Sequence, residues 1–133
     1  MSAIVGTAVA TVDLVKNTAE ELTFTAATNT GATTADTETF YITPSKPDGE
    51  GLLVIKNACG QTVNFNLLGG DFWYNATDQT AFGVANGKTY IMSLDTGAYL
   101  QDTGKLHLKA TPTTTTALTA SDDVSVSYVE LRT

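Results

Sequence analysis

No stretch of this chain holds a helical period, whereas short runs with a period of two recur along its length, and that alternation restricts the fold to packed strands. The clearest run is Thr62 to Leu68. There Val63, Phe65 and Leu67 alternate with Thr62, Asn64 and Asn66, sending the apolar set to one face and the amides to the other. Just upstream, Leu52 to Lys56 reads as a second apolar-rich strand, and the intervening Ala58, Cys59, Gly60 and Gln61 match the length of a common hairpin loop. A central β-hairpin is therefore predicted within Gly51 to Trp73.

Strands are predicted on both sides of it. Residues 4 to 15 mix Ile, Val, Ala and Leu on both parities with no charge before Asp13, which suits a strand covered on both faces or an arm laid against another subunit. Leu22, Phe24 and Ala26 alternate with Thr23 and Thr25. A loop is expected from Ala27 to Asp36, and a strand from Glu38 to Thr43 that ends before Pro44, Pro47 and Asp48-Gly49. Asn86-Gly87 is a turn signal into a strand from Thr89 to Leu94. Strands from Leu106 to Ala110 and from Val124 to Leu131 complete the set. With 25 threonines in 133 residues, the connecting sequence suits pleated structure throughout.

These seven or eight short strands predict a single all-β domain, an antiparallel β-sandwich of immunoglobulin-like type, with a jelly roll or small barrel as the alternative. No internal repeat or second domain is evident across 1–133, although residues 1–36 could form an N-terminal arm or peripheral strands. The predicted core comprises Phe40, Leu52, Val54, Val63, Phe65, Leu67, Met92, Leu106, Leu108 and Val126.

Fourteen acidic residues against seven basic ones give a formal charge of −7, which opposes the phosphate neutralisation behind nucleic-acid affinity. The N-terminal sequence has no basic segment followed by an apolar run of signal-peptide length, and no run approaches a membrane span. Synthesis in a cytoplasm is expected, and the lone Cys59 agrees with a reducing compartment.

Catalytic chemistry finds few residues to use. His107 is the only histidine, and strand parity puts it on a polar face; Cys59 lies in the predicted loop without a committed base. Asp71, Asp78, Asp95 and Asp102 are scattered at turns rather than spaced for calcium, and the two Asp-Thr-Gly triplets at 95–97 and 102–104 read as turns. The expectation is a protein that is not an enzyme and has no cofactor or metal. Phe72, Trp73 and Tyr74 are expected to close one end of the core, with an aromatic ligand platform as the minor reading.

Five segments carry a family resemblance: GLLVIKNA, TVNFNLL followed by GGDFW, NGKTYIMSLD, DTGAYLQDTGKLHLKATP and VSVSYVEL. Residues 51 to 131 resemble small structural proteins of tailed bacteriophages that decorate or stabilise the head. The resemblance implies a virion protein on the capsid surface, made in the host cytoplasm and bound to the major capsid protein, with a homo-oligomer left open. Together with the uncharged N-terminal stretch, it makes Ala3, Ile4, Val5, Val9 and Val12 the candidate contact residues. A tail or fibre component, or a carbohydrate-binding module using Phe72, Trp73 and Tyr74, is the competing class.

Overall fold

The computed structural model describes residues 5–27, 38–45, 50–69, 77–95, 99, 104–113 and 124–132. Ten strands appear among them: β1 (Val5–Ala8), β2 (Thr11–Val15), β3 (Thr25–Ala26), β4 (Glu38–Ile42), β5 (Glu50–Asn57), β6 (Val63–Leu67), β7 (Phe82–Val84), β8 (Thr89–Asp95), β9 (Leu106–Pro112) and β10 (Val124–Arg132). They form two packed sheets. The first runs β1-β4-β9-β6-β7, and the second runs β2-β10-β5-β8 with β3 also on β10.

Strands β3 to β10 nest first with last. β3 pairs with β10, β4 with β9, β5 with β8 and β6 with β7, every pair antiparallel. This is the strand order of a jelly roll, a rolled-up ribbon of paired strands. It does not reproduce the expected immunoglobulin order, in which the last two strands are neighbours in one sheet; here β9 and β10 lie in different sheets. The expectation of a purely antiparallel sandwich is also corrected, because β1 runs parallel to β4 and β2 parallel to β10.

The predicted central hairpin is not formed. β5 pairs with β10 and β8, whereas β6 pairs with β9 and β7, so residues 58–62 carry the chain from one sheet to the other. Both strands exist where the alternation put them, but a loop of hairpin length fits a corner between sheets equally well. Asn57 fixes that corner. Its buried side-chain amide donates to the carbonyls of Gln61 (2.7 Å) and Val84 (2.8 Å), and its Oδ1 accepts from the Cys59 N–H (3.0 Å). Three backbone groups turned away from ladder partners are thereby satisfied.

The core lies between the sheets. Phe40, Ile42, Val63, Phe65, Leu67, Leu106, Leu108 and Ala110 come from the first, and Leu53, Ile55, Val124, Val126 and Tyr128 from the second. In β6 the alternation holds residue by residue, with Val63, Phe65 and Leu67 buried between half-buried asparagines. In β5 it does not: Leu53 and Ile55 face the core, while Leu52 is half-buried on the opposite parity. Val54 is buried but stands outside the core cluster, beside Ser127, and Met92 packs against the cluster only partly buried. The run GLLVI is apolar at both parities, so its pattern cannot choose a face. The choice is made by fit, because Gly51 and Leu53 lie opposite Glu130 and Tyr128, and a Cβ on Gly51 would stand 2.5 Å from the Tyr128 ring.

Candidate functional site

The N-terminal stretch is divided between the two sheets. β1 is outermost in the first and β2 in the second, with the crossing at Val9 and Ala10 tied by Val9 N–H to the Tyr41 carbonyl (2.8 Å) and Ala10 N–H to Thr25 Oγ1 (3.1 Å). Of the candidate contact residues, Ala3 and Ile4 lie outside the described residues, and Val5 opens β1 opposite Glu38. Val9 is buried in the core cluster, and Val12 is half-buried beside Val129. The stretch thus pairs within its own subunit, and Val9 is core rather than contact. What it exposes is the margin of β2, including Val15, which stands opposite Arg132 at the end of β10; the exposed Leu131 is opposite Leu14.

Phe72, Trp73 and Tyr74 lie outside the described residues, as do Asp71 and Asp102. The residues weighed for chemistry are held apart in structural contacts. Cys59 sits half-buried at the β5–β6 corner, its Sγ 3.6 Å from the Gln61 carbonyl. His107 is on β9, its ring edge-on to Tyr41 with centroids 4.7 Å apart, and Lys105 lies over the other partner of that pair, its Nζ 5.6 Å from the Tyr41 centroid. Asp78 accepts from the Gly69 N–H (2.7 Å). No group of three His, Cys, Asp or Glu residues among those described is placed to hold a metal. No helix of the described residues is long and apolar enough to cross a membrane.

Two polar groups mark the sandwich interior. Glu130, buried at the end of β10, accepts from Ser45 N–H (2.7 Å) and from Ser45 Oγ, joining the second sheet to the chain leaving β4. Tyr128 is fully buried and its hydroxyl has no hydrogen-bond partner among the described residues. Burial, with the nearby Glu130 charge adding to it, pushes the Tyr128 pKa up to about 12.

A feature that strand counting missed lies on the far side. Leu53, Ile55, Phe82, Tyr90, Ile91 and Met92 line a cleft of about 250 Å³ where the margins of the two sheets, β7 and β8, stand next to each other. Its walls are apolar. Tyr90 is 43% exposed and Ile91 68%, the latter the largest exposure of a large apolar side chain among the described residues. The signal was present in the sequence as TYIMSL, a strand with no charge on either parity.

No family model matches the chain, and no curated protein matches it.

Proposed function

We propose that the protein is a non-enzymatic virion structural protein of the capsid-decorating kind, which docks on the outer surface of an assembled bacteriophage capsid and has the major capsid protein as its partner. The observation that carries this reading is the position of β1 and β2 as the outermost strands of the two sheets. The stretch that suggested a partner contact thereby lies along a margin, where the exposed Val15 side chain on one face and Leu131 on the other are available for apolar burial. Support also comes from the resemblance of residues 51 to 131 to phage head proteins and from the acidic charge of −7. The contact is redrawn from a free arm to the outer side of β2.

Purified protein is expected to co-sediment with mature capsids lacking it and not with unassembled capsid subunits. Val15→Lys should weaken that binding while leaving the melting curve unchanged, since Val15 is exposed. Protein that ignores capsids but binds a polysaccharide or a tail component would overturn the reading.

A further inference from the structure

We infer that β8 is a self-association strand, and that a second copy of this chain pairs with it antiparallel to give a two-fold dimer with a continuous sheet. Of the four sheet margins, three are blunted in ways known to discourage pairing. β7 has three residues, β1 has four, and β2 carries Asp13 at its centre. β8 has seven residues, no proline and no charge until its final Asp95, and among the described residues it is paired only on its β5 side.

The ladder shows which backbone groups are free to pair. The Asn57 N–H donates to the Lys88 carbonyl (3.0 Å) and the Asn57 carbonyl accepts from the Gly87 N–H (2.7 Å), so the backbone of Asn57 faces the start of β8, and the register is constant from Lys56↔Thr89 to Glu50↔Asp95. Alternation along an antiparallel ladder then turns the N–H and C=O of Tyr90 and Met92 toward β5 and those of Thr89, Ile91 and Ser93 away from it. A second β8 centred on Ile91 sets Thr89 against Ser93, Ile91 against Ile91 and Ser93 against Thr89. All three outward residues are then paired.

The side chains suit the same occupant. Ile91, the most exposed of the large apolar residues described, meets its own symmetry mate on the outer face. Tyr90 lies opposite Met92 of the second copy on the inner face, extending the apolar lining over the open cleft. Charge agrees with the direction at the level of strand ends: Lys88 precedes the strand and Asp95 ends it in the sequence, so antiparallel pairing brings unlike ends together, with Lys88 opposite Leu94 and Asp95 opposite Gly87 rather than facing each other. Because β2 is at the opposite margin of that sheet, the dimer leaves it open, and this inference stands whether or not the capsid reading holds.

Sedimentation equilibrium tests it. The wild-type chain is expected to run at twice its 14.0 kDa mass at tens of micromolar. Ile91→Lys should weaken association at least about thirtyfold, as for loss of a central contact, with an unchanged circular dichroism spectrum. Leu22→Lys, an exposed apolar site between β2 and β3, should leave association intact. A wild-type monomer at millimolar concentration, or an Ile91→Lys protein that still dimerises with wild-type affinity, overturns the proposal.

Discussion

Phe65 and Tyr128 show how differently two fully buried rings contribute. Phe65 lies at the centre of β6, 0% exposed, with the Phe82 ring stacked 6.2 Å away. Phe65→Ala should cost about 3–5 kcal/mol, from lost transfer energy plus the cavity left behind, and a urea melt would register it as a lower midpoint. Tyr128 buries its ring well but leaves its hydroxyl unpartnered, so Tyr128→Phe should leave stability at pH 7 unchanged or slightly raised. The pH profile then separates the two proteins. With a folded pKa of about 12 against an ordinary value of 10.0, the unfolded chain loses its tyrosine proton first, so stability is fully present below pH 10 and declines as pH rises toward about 12. The Phe variant should lack that part of the alkaline decline, and denaturant melts between pH 9 and about 12 would show whether it does.

At the scale of elements, β1 and β2 act as clips on the outer margins of two different sheets. Removing residues 2 to 12 would strip the pairing partner from β4, take Thr7 and Val9 out of the interior, and uncover part of β10. The truncated chain is expected to melt at least about 5 °C lower than the full one, equivalent to about a kilocalorie per mole or more for a domain of this size. Differential scanning calorimetry checks this, and an unshifted melting temperature would mean that the arm adds nothing to the fold. Any test of capsid binding should therefore use Val15→Lys rather than truncation, since truncation mixes loss of contact with loss of stability. β5 carries a related lesson. It lies at the middle of its sheet with apolar residues at both parities, so its alternation is erased and only cross-strand fit selects Leu53 and Ile55 for the core.

Across the whole molecule, nesting first strand with last makes most pairings distant in sequence. Among the described residues only β6 and β7 pair as chain neighbours, and even these are separated by 68–81. Closing such loops precedes most of the reward from burial, so folding is expected on a timescale of about milliseconds to seconds, as for other β-rich domains of non-local topology. Stopped-flow refolding followed by Trp73 fluorescence measures it. Microsecond folding would be incompatible with this strand order. The dimer through β8 belongs to the same scale, since a jelly roll leaves sheet margins that a closed barrel would not have.

Strand identity was written locally. The alternation at Val63 to Leu67, the buried parity of Leu106 and Leu108, the turn at Asn86-Gly87 where Gly87 takes φ 80°, and the all-β class itself all follow from side-chain period and turn chemistry that neighbouring residues supply. Partnership was decided elsewhere. A loop of four residues does not say whether it joins two strands of one sheet or turns a corner between two, and the corner at Asn57 is recognisable only once Val84 is seen beside it. The N-terminal stretch read as uniform because nothing local distinguishes Val9, which enters the core, from Val12, which remains half-buried on β2. The outer margin of β8 is likewise visible only when the strand order shows that, among the described residues, it ends its sheet. Local sequence sets which way a side chain points from its own backbone; only the packed chain decides what stands opposite it.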